Sequence, residues 1–241
     1  MGKPDIIYED NDIIVCYKPA GIATQTRRIG QQDMESFIRN YRAAKNEPPY
    51  VGIVHRLDQP VEGVMVFAKN QKAAASLSRQ IKEHTTEKYY RAASRGHGVS
   101  GAAVEDEEAW HTLTDYLSFD KRTNTSKITS EKDKLAKKAV LQYRVISVTP
   151  DRGSSQNECI KTEFDIKLLT GRHHQIRLQL ANIGYPLIGD TKYGKTASNN
   201  SGTGSKSGRT GFGVREQLAL CSYKIVFDHP ATGERLTFEL P

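Results

Sequence analysis

Hydrophobic and polar positions fall into blocks along this chain, and blocks of different period follow one another. The opening "IIYEDNDIIVCYKPAG" is two short β-branched runs broken by Asp-Asn-Asp, which predicts a hairpin ending at Lys18-Pro19. In "DMESFIRNYRAA", Met34, Phe37, Ile38 and Tyr41 recur at helical spacing, and "NEPP" stops that helix before a strand around Ile53 and Val54. Val64 to Ala68 is continuously apolar, as in a strand covered on both faces. "QKAAASLSRQIKEH" then puts Ala73, Leu77 and Ile81 on one helical stripe with basic residues opposite, and "EKYYRAASRG" returns as a strand.

From Gly96 to Lys138 the chain is polar and predicts hairpins and surface loops. "KAVLQYRVISV" and "CIKTEFDIKLLT" are β-rich runs joined by a long loop, and "GRHHQIRLQLANIG" has a helical period. Residues 195–213, within "KTASNNSGTGSKSGRTGFG", read as a flexible Gly/Ser/Lys loop, and "QLALCSYKIVFDHPATGERLTFEL" as strand, turn, strand with the turn at Pro230 to Gly233. Alternation of helices and strands in one chain points to a mixed α/β or α+β fold. With no internal repeat and no sharp break in composition, one domain is expected over residues 1–241.

Composition narrows the class. Of 241 residues 37% are apolar, enough for a sizeable core. No apolar run approaches the ~20 residues of a membrane span, and the N-terminus has no signal-peptide core, so a cytoplasmic protein without a membrane partner is expected. Cys16, Cys159 and Cys221 are far apart and suit neither a zinc site nor a disulfide framework; reduced thiols in or near the core are expected. The net charge of +7 favours a polyanionic partner, nucleic acid first.

Chemistry concentrates in "VGIVHRLDQPVEGVMVFAKN". Here Asp58 stands at a turn between two strands that read as buried, where a carboxylate is costly unless the fold brings it a cation or donors. At about 100° per residue, Arg172 falls on the same helical side as Ile176, Leu180 and Ile183, so a core-facing Arg at a helix start is the expected partner for Asp58. A purely structural ion pair is the other reading of that pairing. His55, His173 and His174 lack the i, i+4 spacing of helical metal ligands, and no metal is expected. "SGTGSKSG" lacks the order of a phosphate loop. Tyr89 and Tyr90 point to opposite faces of their strand. Lys18, Arg56, Arg172, Arg177 and the basic residues of 71–84 suggest a basic cleft, with a solvated charged face as the alternative.

These stretches resemble the RluA-type pseudouridine synthases: "HRLDQPVEG", "EKYYRA" and "LLTGRHHQIRLQLANIGYPLIGDTKYG" in order, with "IIYEDNDIIVCYKPAG" before and "LALCSYKIVFDHPATGE" after. The resemblance runs from about Ile6 to the C-terminus. It implies an α+β catalytic domain with a mixed, mostly antiparallel sheet, flanking helices and a central active-site cleft, with no separate S4-like RNA-binding domain. It further implies isomerisation of uridine in ribosomal or transfer RNA, without a cofactor, by a monomer. Asp58 of H-R-L-D matches the aspartate that attacks the uridine at C1′ or C6. Tyr90 matches the tyrosine that stacks on the base and helps remove the C5 proton, and Arg172 matches the arginine that pairs with the aspartate. Arg56 matches a position that fills the stack after the uridine leaves it; with Lys18, Gln175 and Arg177 it forms the expected set of RNA contacts. The chain departs from the family pattern at Val61-Glu62, Gln179 and Cys221. The alternatives are a catalytically silent RNA-binding protein of the same fold and a glycoside hydrolase, the latter disfavoured because it needs two flanking carboxylates.

Overall fold

The structure is a computed structural model that describes residues 4–26, 28, 30–95, 109–150, 160–194 and 216–241. Along the chain the elements are β1 (Asp5–Glu9), β2 (Ile13–Lys18), α1 (Met34–Ala44), β3 (Gly52–Ile53), β4 (Glu62–Ala68), α2 (Gln71–Lys82), β5 (Glu87–Arg95), β6 (His111–Asp120), β7 (Thr125–Thr129), β8 (Lys137–Pro150), β9 (Ile160–Leu168), α3 (Gln175–Asn182), β10 (Leu220–Asp228) and β11 (Arg235–Glu239). They group into two compact units, Met1–Tyr89 with Cys221–Pro241, and Tyr90–Leu220. Both divisions fall inside strands, β5 and β10, which is why no linker marks them in the sequence.

In the first unit the predicted hairpin forms, with Asp5 opposite Tyr17 and Glu9 opposite Ile14. β2 continues antiparallel onto β4, Ile13 facing Ala68 and Lys18 facing Gly63. β3 pairs antiparallel with β4, and β11 antiparallel with β10. β10 meets β4 in parallel at Cys221–Glu62 and Ser222–Gly63. This crossing requires a glycine: Gly63 has φ +134°, and a Cβ there would lie 2.2 Å from the Ser222 carbonyl oxygen.

The apolar run of β4 is buried as its pattern predicts. Val64, Val66 and Ala68 join Ile13 and Val15 of β2, Ala73 and Leu77 of α2, and Ile225 and Phe227 of β10 in one core. Each large side chain so buried contributes about 1.5–3 kcal/mol, which offsets the backbone order the strands impose. Caps fix the helix starts. Asp33 Oδ1 accepts the Ser36 N–H at 2.8 Å while Ser36 Oγ accepts the Asp33 N–H at 3.0 Å, and Asn70 Oδ1 accepts the Ala73 N–H at 2.9 Å.

The second unit holds the hairpins expected of its polar stretch. β6 pairs with β7 and β8, and β8 with β9, all antiparallel, with Leu113 opposite Leu141 and Val145 opposite Phe164. Phe164, Ile166, Ala139, Leu141 and Leu180 are its most buried apolar residues. The pairings described are antiparallel except β4 with β10, so the sheet is mixed and mostly antiparallel, and with the three helices found among the described residues the fold is α+β as expected. Among the described residues no helix is long and apolar enough to cross a membrane. Cys16 and Cys221 are free thiols; Cys159 and the glycine-rich loop 195–213 lie outside the described residues.

Candidate active site

In the first unit the segment carrying Asp58 is anchored on both sides of that residue. Before it, Thr24 is 3% exposed; its hydroxyl donates to the Leu57 carbonyl at 3.0 Å and accepts the Leu57 N–H at 3.1 Å. After it, the Gly21 N–H donates to the Gln59 carbonyl at 2.8 Å, and Gln59 Nε2 returns a bond to the Gly21 carbonyl at 2.9 Å. The turn closes with Val61 N–H on the Asp58 carbonyl at 3.0 Å. Upstream, His55 Nε2 accepts the Val66 N–H at 3.1 Å, so its proton sits on Nδ1. A half-buried carboxylate is thus held by backbone that Lys-Pro-Ala-Gly-Ile-Ala-Thr, residues 18–24, grips at residues 57 and 59.

Lys18 is the third grip. It is completely buried, and its ammonium donates to the carbonyls of Pro19 at 3.1 Å, Ile22 at 2.6 Å and Gln59 at 3.2 Å. Burial pulls it down to about 8, against the opposing pull of the Asp58 and Glu62 carboxylates, so it is mostly charged at neutral pH and brings positive charge towards Asp58. Glu62 accepts a hydrogen bond from Tyr17 Oη at 2.9 Å. Arg56 is exposed, with Nη2 donating to Gln25 Oε1 at 3.3 Å.

In the second unit Arg172 is not on the helix that its spacing predicted. α3 starts at Gln175, so the apolar stripe does not set the direction of Arg172. Instead its Nε donates to the Lys138 carbonyl at 2.8 Å and its backbone N–H to Gln175 Oε1 at 3.0 Å. The same Gln175 oxygen accepts from Thr170 Oγ1 at 2.8 Å, and Thr170 Oγ1 accepts the Val140 N–H at 2.8 Å. Gln175 Nε2 passes on to Gln179 Oε1 at 2.9 Å, and Gln179 Nε2 to Asp115 Oδ2 at 2.7 Å. A buried amide ladder therefore ties the Thr-Gly-Arg turn to β8 and β6. Tyr90 is buried in β5, 5% exposed.

Arg177 is also an interior residue. Its Nε and Nη2 donate to the two carboxylate oxygens of Asp190, both at 2.8 Å, and the pair is buried. Burial pushes the Asp190 carboxyl up, but the bidentate guanidinium and the N–H groups of Lys192 and Tyr193 outweigh it and hold it below the usual carboxylate range. Lys18, Gln175 and Arg177 were expected to touch RNA; the structure instead engages all three with protein groups and withdraws them from solvent, because each satisfies buried backbone or carboxylate partners. Of that set, Arg56 alone is exposed.

Each of the three histidines weighed as metal ligands has a partner of its own: His173 Nδ1 meets Ser126 Oγ at 3.0 Å, His174 Nδ1 meets Tyr193 Oη at 2.9 Å, with the His173 and His174 ring centroids 3.7 Å apart, and His55 Nε2 accepts the Val66 N–H. Burial, with Arg177 nearby, pushes His174 down to about 3, so it is neutral. The Asp10–Asp12–His229 cluster is a turn clamp. Asp10 accepts from the Asp12 and Ile13 N–H groups, from Tyr8 Oη and from His229 Nε2, and His229 Nδ1 accepts the Ala231 and Thr232 N–H groups. Sequence reading missed Thr24, Gln59 and Asp190. Asp190 had a signal, the Gly-Asp of "IGDTKYG", an anion available to an arginine on the buried side of the preceding helix.

The family described as RNA pseudouridylate synthase matches residues 12–182. The chain is 32% identical to a ribosomal large subunit pseudouridine synthase D of Vibrio parahaemolyticus, over 98% of this chain and 66% of that protein. It is 31% identical to an uncharacterized RNA pseudouridine synthase, YhcT, of Bacillus subtilis, over 100% of this chain and 69% of that protein. It thus spans about two thirds of the length of these relatives. The solved structure of human RNA pseudouridylate synthase domain containing 1 superposes with a TM-score of 0.69 at 22% identity, covering 99% of this chain and 83% of that one. Fold, motif order and sequence match agree, and the chain belongs to the RNA pseudouridylate synthase family.

Proposed function

We propose that this protein isomerises uridine to pseudouridine in ribosomal or transfer RNA, with Asp58 as nucleophile. The observation that carries the reading is the family match over residues 12–182, which takes in His-Arg-Leu-Asp, Lys-x-Tyr and Thr-Gly-Arg in order. It spans residues of both units, which supports their acting as one catalytic domain. The gripped Asp58 segment adds physical support, since a nucleophile whose backbone is held by hydrogen bonds on either side, buried at Leu57, needs little reorganisation to reach a reacting carbon.

In this mechanism the Asp58 carboxylate attacks C1′ or C6, the N1–C1′ bond breaks, uracil turns, a C5–C1′ bond forms, and the bond between Asp58 and the attacked carbon breaks to return the free carboxylate. The C5 proton leaves with the help of Tyr90, and N1 gains one. Every other atom stays, so the step is redox-neutral. Arg172 is assigned the ion pair with Asp58. The target base must first leave the stack, at a cost of a few kcal/mol, offset by stacking on Tyr90, while Arg56 occupies the place it leaves. Phosphate contacts supply much of the affinity and make it salt-dependent. The Vibrio relative's name points to ribosomal RNA as the first substrate to try. Action as a cytoplasmic monomer completes the reading.

The test is tritium release from C5-labelled uridine in unmodified ribosomal and transfer RNA transcripts. Release by wild type that vanishes in Asp58→Asn supports the mechanism and shows the RNA class. No release from either transcript, or from total RNA of a strain lacking the gene, moves the assignment to RNA binding without catalysis.

A further inference from the structure

Lys88, the first residue of Lys-x-Tyr, has no part in the mechanism above. It lies in β5, where alternation sets Glu87 and Tyr89 on one face and Lys88 on the other, with Tyr90. The first face is internally paired. Tyr89 Oη donates to Glu87 Oε2 at 2.6 Å, Arg235 Nη2 donates to Glu87 Oε1 at 2.8 Å, and Lys224 Nζ stands 5.6 Å from the Tyr89 ring centroid. Glu87 is therefore turned away from Lys88 and committed elsewhere.

The Lys88 ammonium has no such arrangement. It is half-buried, and among the described residues no carboxylate or hydrogen-bond acceptor is paired with it. The neighbour it acts on is His55, three residues before Asp58, which is neutral: burial and then the Lys88 charge push it down to about 3. Burial also lowers Lys88 itself.

The contrast with the buried cations of the same unit is sharp. Lys18 has three carbonyls; Arg42 has Glu47 and the carbonyls of Tyr50 and Lys69; Lys69 has Glu9 and Glu47. An ammonium partly stripped of water and left without a counter-charge is unfavourable unless an anion arrives from outside. Resting on the reading above, we propose that Lys88 binds a backbone phosphate of the RNA at the target nucleotide, on the face of β5 that carries Tyr90, and so positions that nucleotide for Asp58.

Lys88→Met keeps the length and the apolar stem and removes the charge. Steady-state tritium release is measured for wild type, Lys88→Met, Lys88→Arg and Asp58→Asn on the transcript that wild type modifies, at several salt concentrations. Expected for Lys88→Met are a rise in KM of about tenfold or more with kcat within about threefold, and a slope of log(kcat/KM) against log[salt] shallower by about 0.7–0.9, the signature of one lost phosphate contact. Lys88→Arg should recover most of the KM. The thermal midpoint of the RNA-free Lys88→Met protein should equal or exceed wild type, because an unpaired charge has been taken from a half-buried site.

An unchanged KM and salt slope overturns the proposal, as does a fall in kcat with KM unchanged. A lowered thermal midpoint without RNA overturns it too, since it would show that Lys88 serves the fold. Failure of the underlying reading looks different: wild type is then inactive, or Asp58→Asn still releases tritium.

Discussion

Thr24→Val isolates the grip on Asp58. Valine has nearly the shape of threonine, so the change leaves no cavity and removes only the hydroxyl. That hydroxyl is both donor and acceptor for Leu57, at 3.0 and 3.1 Å, in a site 3% exposed. Removing it strands one buried N–H and one buried carbonyl on the residue before Asp58. Each stranded group costs about 1–3 kcal/mol, so the expected loss is about 2–4 kcal/mol after partial relaxation. Urea unfolding followed by circular dichroism should show a lower midpoint with an unchanged slope. If the grip also positions the nucleophile, kcat for tritium release should fall by at least tenfold with KM within about twofold, and Thr24→Ser should restore both. A loss below about 0.5 kcal/mol, the scale of an ordinary surface substitution, together with an unaltered kcat, would refute the idea that this contact sets the Asp58 turn.

Three further outcomes follow from the same geometry. Gly63→Ala should destabilise by at least about 2–4 kcal/mol, read as a drop in thermal midpoint or loss of soluble protein, because its Cβ would meet the Ser222 backbone and its φ of +134° suits only glycine. Arg177→Met should cost about 3–5 kcal/mol by leaving a buried carboxylate unpaired; Arg177→Met with Asp190→Leu should recover much of it in chemical denaturation. Glu9 is pushed up by burial but pulled further down, to about 2, by Lys45, Lys69 and the Tyr41 hydroxyl. Its folded-state value is depressed, so its stabilisation is present above the unfolded glutamate value of about 4.3 and is lost as pH falls from there towards about 2. Glu9→Gln should therefore flatten the acid limb of the thermal midpoint in that window.

Local pattern alone determined most of the elements. Period-two and continuous apolar runs marked β1, β2, β4, β5, β8 and β9, and helical spacing marked α1 and α2, because side-chain burial on a regular backbone imposes those periods. Motif order determined the family and the identities of Asp58, Tyr90 and Arg172 as candidates. The direction of Arg172 was beyond it: the helical period runs on through Gly171 to His174, but the chain enters α3 only at Gln175, after the left-handed His174 with φ +54°. Tertiary structure also decided which basic residues meet solvent. Lys18 and Arg177 look like any surface cation in sequence, yet one closes on three carbonyls and the other on Asp190. Charge type is written in the sequence, whereas its partner is not, because the cost of burying a cation is settled by acceptors contributed from residues up to 41 positions away.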